Sequence, residues 1–242
     1  VDILIPSGDI TVTQMEAIAQ LSRRLNLPDE VRVTLAQSFL LTRIPEKELP
    51  SVYQELVQHG LAAPGIGTIH QVISCLGAEI HPTALTQSRM LAKVLSHVLF
   101  QMYGEVPEDL RGVSIRICGC SNSCSQHYLG TLGFQGAVSQ QQGRALPCYM
   151  LYVGGKTGEE TKLAEFVMKL PAKRVPKAVM DLVDWYRADR YPSAGETFAQ
   201  FLERVGKELI RQKLEPLTRV PPFDQERDLY YDWGAEEPYQ HV

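Results

Sequence analysis

Three of the chain's five cysteines, Cys118, Cys120 and Cys124, fall within seven residues of one another. They lie in Cys118-Gly119-Cys120-Ser121-Asn122-Ser123-Cys124, directly after the alternating run Val113-Ser114-Ile115-Arg116-Ile117. Period-two alternation reads as a strand, so the thiols are delivered by a loop at a strand's end. An odd count and tight spacing make a poor disulfide framework and a better metal or cofactor framework. That favours a reducing, cytoplasmic compartment. Thiolates suit iron–sulfur clusters or zinc, but the C-x3-C spacing of Cys120 and Cys124 departs from the C-x2-C pairs usual in zinc ribbons. Buried structural thiols are the competing reading, because free cysteine is among the most buried residue types. Cys148 sits in a strand-like run and reads as a core thiol.

The rest of the chain supplies a fold class of α+β. At 242 residues and 44% hydrophobic, it is long enough to bury a substantial core. No apolar run approaches the roughly 18 residues a membrane span needs. A net charge of −4 argues against nucleic acid. Residues 1–63 read as a small unit of strand, helix, strand and helix. Ile3-Leu4-Ile5 is its first strand. Thr13 and Glu16 suggest a capping box before a helix with Met15, Ile18, Leu21 and Leu25 inward. Val31, Val33 and Leu35 alternate with Arg32 and Thr34 as a strand. A helix through Leu49, Val52, Tyr53, Leu56 and Val57 ends at Gly60. Pro64 and the neighbouring glycines mark a boundary.

Residues 64–214 form a second unit. Its expected elements are a helix over 86–103 with Leu91, Val94, Leu95, Val98 and Met102 inward, and strands at 113–117, 134–138 and 148–153. Gly143 turns between the last two. Helices are expected near 159–169, 176–190 and 196–213. Residues 215–242 read as an extended tail over the surface.

Several of these stretches, taken together, resemble the sirohaem-dependent nitrite and sulfite reductases. They are Cys75-Leu76-Gly77-Ala78, Ala84 to Arg89, and Gly119-Cys120-Ser121-Asn122-Ser123-Cys124 with Gln126 and His127. Collinear stretches follow at Leu132 to Gly136, Leu151 to Gly155, Leu170 to Pro176 and Gly195 to Phe198. Upstream, Ile5 to Gly8 and Val31 to Gln37 resemble the ferredoxin-like module that opens each half of such enzymes. The resemblance implies a ferredoxin-like module followed by an α/β domain carrying sirohaem and a [4Fe-4S] cluster. It implies six-electron reduction of sulfite to sulfide or of nitrite to ammonia, with electrons from a donor such as ferredoxin or a flavoprotein.

By the same resemblance, Cys75, Cys120 and Cys124 hold the cluster, and Cys124 is the thiolate bridging to the sirohaem iron. Asn122 supports that loop, and Arg32, Thr34 and Gln37 face the sirohaem. Arginine suits the macrocycle's carboxylates; a solvated strand-face role for Arg32 is the alternative. Where the family has its second cysteine, this chain has His81. Imidazole also ligates iron in some clusters, so His81 is a candidate fourth ligand and Cys118 its rival; a vacant site is the third option. Arg89 and Arg116 read as surface or propionate contacts, and His127 as a structural histidine or a hydrogen-bonding neighbour of the cluster loop. Lys169, Lys173, Arg174 and Lys177 form either a donor-docking patch or an ordinary solvated helix entrance.

The match is to the C-terminal half of a family member. The chain opens at Val1 and is read as a fragment, its substrate-binding cations coming from a missing N-terminal half or a second chain. Asp228 to Gly234 resembles the end of some bacterial reductases and tilts the substrate toward sulfite. Two alternatives are a cofactor-depleted scaffold that binds a partner, and a related enzyme of corrin synthesis.

Overall fold

The computed structural model describes residues 1–27, 30–104 and 107–240. Two sheets carry the architecture. The first has strands β1 (Asp2–Ile3), β2 (Val31–Val33) and β3 (Phe39–Leu41), antiparallel in the order β1-β3-β2. Helices α1 (Val12–Arg24) and α2 (Leu49–Gln58) share its core, in which Ile3, Ile18, Leu21 and Val52 are buried.

Local chemistry explains where these elements begin and end. The capping box of α1 is Thr11 with Gln14, two residues before the expected Thr13 and Glu16. Gln14 N–H donates to Thr11 Oγ1, and Thr11 N–H donates to Gln14 Oε1. Starting there, the helix turns Ala17, Ile18 and Leu21 inward and leaves Met15 exposed, against expectation. Strand β2 stops at Val33, short of the expected 31–36. The chain turns through Thr34 to Gln37, where Gln37 N–H donates to Thr34 O and Gln37 takes a left-handed φ of 56°. Leu35 is left 80% exposed at that turn, so its alternation with the valines was a turn's accident. Gly60 follows α2 with φ 65°, as its C′ reading requires.

The second sheet contains β4 (Val72–Ser74), β5 (Ile115–Cys118), β6 (Leu132–Gln141), β7 (Arg144–Val153) and β8 (Glu165–Pro171), paired in chain order. The first three are parallel; the last two pairs are antiparallel. Parallel neighbours need a long crossover. Helix α3 (Ser88–Tyr103) supplies it between β4 and β5. Between β5 and β6 the crossover is the cysteine loop itself. The β6–β7 hairpin closes through Gln142 and Gly143, both at positive φ (50° and 77°), as a two-residue type I′ turn requires.

Residues 159–169 are not a helix. Their second half is β8, whose Val167 and Leu170 are fully buried while Glu165 and Lys169 are exposed. The free edge of β7 offers backbone partners that override a short helical pattern. Helices α4 (Val175–Asp189) and α5 (Phe198–Leu214) then pack against α3 and β8. Pro176 sits in the first turn of α4, where no N–H is needed.

The main core joins Leu91, Leu95 and Leu99 of α3 to Ile115, Phe134 and Phe201. Val94 and Val98 are only half-buried and Met102 is exposed, so the inner stripe of α3 runs through Ala92 and Leu99 instead. Leu95 has no exposed surface. A Leu95→Ala substitution is therefore expected to cost about 2–5 kcal/mol, read as a lowered urea midpoint without a change in slope. Among the described residues, no helix is long and apolar enough to cross a membrane.

The tail wraps the sheet, with its last two residues outside the described set. Leu229 and Tyr230 bury themselves against Ala137, Leu146 and Cys148. Cys148 is a core thiol, pushed up to about 12 by burial. Asp232 reaches the start of α3, where its Oδ2 accepts Gln87 N–H at 2.8 Å. Burial raises the Asp232 carboxyl above its usual range, outweighing the backbone N–H groups of Gln87 and Trp233. A carboxyl raised in the folded state contributes stability in full below its unfolded pKa of about 3.9. That contribution is lost as pH rises through the folded value. The unfolding free energy of the protein minus that of Asp232→Asn should therefore fall between pH ~4 and neutrality, measurable by urea titration at both.

Candidate cluster-binding site

Both candidate ligand segments begin at the carboxyl ends of adjacent parallel strands, where open α/β sheets present their ligand crevices. Cys75 immediately follows β4, and Cys120 and Cys124 lie in the loop leaving β5. Backbone at these ends has run out of ladder partners, so it serves the thiols. Gly119 N–H donates to Cys75 Sγ at 3.1 Å, and Ser88 Oγ lies 3.1 Å from the same sulfur while donating to Cys75 O at 3.0 Å. The neighbouring Cys118 thiol, followed by these donors, holds the Cys75 thiol well below the ordinary range. Cys118 moves the other way, raised by Cys75 and by burial.

The two loops brace each other. Gly119 O accepts the N–H groups of Leu85 (2.7 Å) and Thr86 (3.2 Å), and Thr86 O accepts that of Ala78 (2.9 Å). The approach is close enough that a Cβ on Gly119 would sit 2.6 Å from Thr86 O, and one on Gly136 would overlap Gly119 O. Tyr239 of the tail donates to Leu85 O at 2.7 Å, adding a strap from outside.

A cavity of about 480 Å³ opens between the two sheets' modules and is lined by Cys75, His81, Cys120, Asn122 and Cys124 on one side. The other side is the N-terminal module, contributing Ser7, Asp9, Val33, Thr34 and Gln37. His81 is exposed, with Nδ1 3.1 Å from Thr83 Oγ1, which leaves Nε2 as the nitrogen available to a metal. Gln37 clamps the modules together: its Nε2 donates to Ser74 O at 2.6 Å and its Oε1 accepts Ser74 N–H at 3.1 Å, one residue before Cys75. Arg32 is exposed on β2 and does not line the cavity.

Cys118, weighed as a rival ligand, is 1% exposed and does not line the cavity; its sulfur lies 2.7 Å from Ser125 Oγ. Arg116, read as a surface or propionate contact, is buried. Its Nη1 donates to Ser125 O and Gln126 Oε1, fastening the far end of the cysteine loop, and burial lowers its pKa. Arg89 pairs with Glu79 and with Asp9 at 2.8 Å, tying the cysteine side to the N-terminal module. His127 is fully buried against Tyr128 and Tyr152, and desolvation lowers its pKa. The basic run 169–177 is not a free patch. Lys173 pairs with Asp228, Arg174 with Glu226 and Lys177 with Asp181, while Lys169 donates to Val138 O.

Sequence reasoning missed Ser7, Asp9 and Ser88. Ser7 takes a left-handed φ of 55° within Pro6-Ser7-Gly8, and that turn signal was visible in the residues. Ser88 carried no signal, because its partner is 13 residues away.

The donor set fits an iron–sulfur cluster better than one ion. Among the described residues, no three His, Cys, Asp or Glu side chains converge tightly enough for a single metal. A cubane holds its ligands at four separated corners and draws them from separate loops, which is how Cys75, Cys120 and Cys124 are arranged around one cavity. The N–H and hydroxyl donors on Cys75 are the kind of contacts that tune cluster ligands.

Comparison with known proteins agrees. Residues 66–220 match the family described as "Nitrite and sulphite reductase 4Fe-4S domain", and residues 1–59 match "Nitrite/Sulfite reductase ferredoxin-like half domain". The assimilatory ferredoxin-dependent nitrite reductase of Haloferax mediterranei is 26% identical over 242 residues, covering 95% of this chain and 39% of that protein. The ferredoxin–nitrite reductase of Synechococcus elongatus is 28% identical over 165 residues, covering 68% and 31%. A ferredoxin sulfite reductase of Mycolicibacterium paratuberculosis is 24% identical over 212 residues, covering 85% and 37%. The chain thus spans between 31% and 39% of the length of these relatives. The structure of the Mycobacterium tuberculosis NirA protein shares the fold, with a TM-score of 0.75 at 22% identity over 87% of this chain and 39% of the other. The chain belongs to the nitrite and sulphite reductase 4Fe-4S domain family.

Proposed function

We propose that this chain is the cofactor-bearing half of a reductase that adds six electrons to a small oxyanion, sulfite or nitrite. The observation that carries the reading is the convergence of Cys75, His81, Cys120 and Cys124 on one cavity walled on its other side by the ferredoxin-like module. In this reading Cys75, Cys120 and Cys124 hold a [4Fe-4S] cluster, His81 takes the fourth corner through Nε2, and Cys124 also reaches the iron of a sirohaem. When bound, the cluster and sirohaem supply single-electron transfer to the oxyanion. The chain's residues do the positioning. Gly119 N–H stabilises negative charge on the Cys75 sulfur, and Ser88 Oγ anchors the Cys75 carbonyl. Asn122 lines the cavity between Cys120 and Cys124, and Thr34 and Gln37 line its opposite wall. Arg32, exposed on β2 and outside the cavity lining, is the proposed guanidinium partner of the macrocycle's carboxylates.

An anionic substrate beside an anionic macrocycle needs several cations. Arg89, Lys173, Arg174 and Lys177 are already paired with acids. In this reading further cations come from the additional length that the relatives have beyond the matched region. The electron donor is a ferredoxin or a flavoprotein, and a reducing cytoplasmic compartment suits the free thiols.

The test is to purify the protein together with its partner half, then quantify iron, acid-labile sulfide and tetrapyrrole absorption. Reduction of sulfite and of nitrite by a chemical donor would be assayed side by side. Zinc occupancy without iron or tetrapyrrole would overturn the proposal.

A further inference from the structure

Cys118 lies beside a cluster ligand yet outside the cavity, and nothing in the cofactor site uses it. The register of β4 and β5 ends with Ser74 paired to Ile117, and one further backbone bond, Cys75 N–H to Ile117 O at 3.0 Å, sets Cys75 alongside Cys118. Residues in register on parallel strands point to the same face. Neighbouring strands are about 4.8 Å apart, inside the roughly 4.4–6.8 Å between α-carbons that a disulfide spans. Each sulfur is also held in place. Ser88 Oγ and Gly119 N–H flank that of Cys75, and Ser125 Oγ (2.7 Å) and N–H (3.3 Å) flank that of Cys118.

We propose that Cys75 and Cys118 form a reversible disulfide in the cluster-free protein, so that oxidation removes one ligand from the cofactor site until a reductant restores it. The inference rests on the reading of Cys75 as a cluster ligand for its consequence, though not for the bond itself. Access sets the order of events. Cys75 is half-buried and lines the cavity, whereas Cys118 is 1% exposed, so a small oxidant meets Cys75 first. With a low-molecular-weight disulfide such as oxidised glutathione, the Cys75 thiolate attacks one sulfur, forming a mixed disulfide and releasing one glutathione thiolate. The Cys118 thiol then attacks the Cys75 sulfur, and its proton leaves with the second glutathione. Two protein thiols are oxidised and one small disulfide is reduced to two thiols. A bound cluster occupies Cys75 and blocks the first step. Oxidation therefore acts on newly made or cluster-stripped protein.

The test uses the intact protein, stripped of iron by chelation under reductant. It is exposed to oxidised glutathione, alkylated, digested and mapped by mass spectrometry. The expected result is a linked Cys75–Cys118 peptide with loss of those two alkylatable thiols. Iron and sulfide uptake should fall and return after dithiothreitol. In Cys118→Ser, Cys75 should stop at the glutathione adduct, and the untreated variant should still take up iron; Cys118→Ala repeats the test without a hydroxyl. A Cys120–Cys124 link in place of the Cys75–Cys118 one, or full alkylation of both Cys75 and Cys118, would overturn the proposal. If the linked peptide forms but reduced protein takes up no iron, the disulfide stands and the cluster reading falls.

Discussion

A Cys124→Ser variant of the intact protein is expected to keep its fold and lose its cluster. Cys124 is exposed in the loop after β5, and substitutions at exposed positions usually change stability by less than about 0.5 kcal/mol. The thiol-to-hydroxyl change acts instead on ligation, because a hard oxygen replaces a soft thiolate at iron. Loss of even a supporting contact commonly costs about tenfold or more in metal affinity, so losing a ligand should lower iron and sulfide by at least that factor. Thermal unfolding of the metal-free protein should barely move. Cys148→Ser is the control with the opposite signature. Its sulfur is buried under Leu229 and Tyr230, and a buried hydroxyl without a partner costs about 1–3 kcal/mol. That variant should lose stability while the surviving folded protein keeps its iron. Normal iron content in Cys124→Ser would remove this residue from the ligand set.

Replacing His81 by cysteine is the second large expected effect, and it is read on potential rather than occupancy. A neutral imidazole at one corner leaves the cluster less negative than a fourth thiolate would, and histidine-ligated clusters have the higher potentials. His81→Cys should therefore retain the cluster and lower its midpoint on the order of 100 mV or more. His81→Ala should lose part of the iron, because the corner then depends on solvent. Redox-monitored EPR separates the two variants. An unmoved midpoint in His81→Cys, together with full iron in His81→Ala, would assign the fourth corner elsewhere.

Much of the fold was legible because its signals were local. The turn at Gly143, helices near 176–190 and 196–213, and the Gly60 stop each rest on residues a few positions apart; the structure has the helices within two residues, while the strands flanking Gly143 run three and four residues closer to it than expected. Errors came where distant partners decided. The 159–169 stretch became β8 because β7 offered it an edge. β2 ended early because Gln37 turned away to clamp Ser74, 37 residues distant. Arg116 was read as a surface or propionate contact, but the cysteine loop folds back over it and buries it.

The candidate site divides in the same way. Its chemistry was written in the sequence, since Cys75, His81, Cys120 and Cys124 carry donor atoms of a recognisable type in a recognisable order. Their convergence was not, since 44 residues and a crossover helix separate Gly119 from the Cys75 sulfur that its N–H meets. Which cysteine faces the cavity was also a tertiary decision. Cys118 and Cys120 are two residues apart, yet the first ends a strand in the buried sheet and the second begins the open loop. Sequence determined which groups were available. The parallel pairing of β4 and β5, which sets the ends of two adjacent strands side by side where Cys75 and the cysteine loop begin, determined where those groups meet.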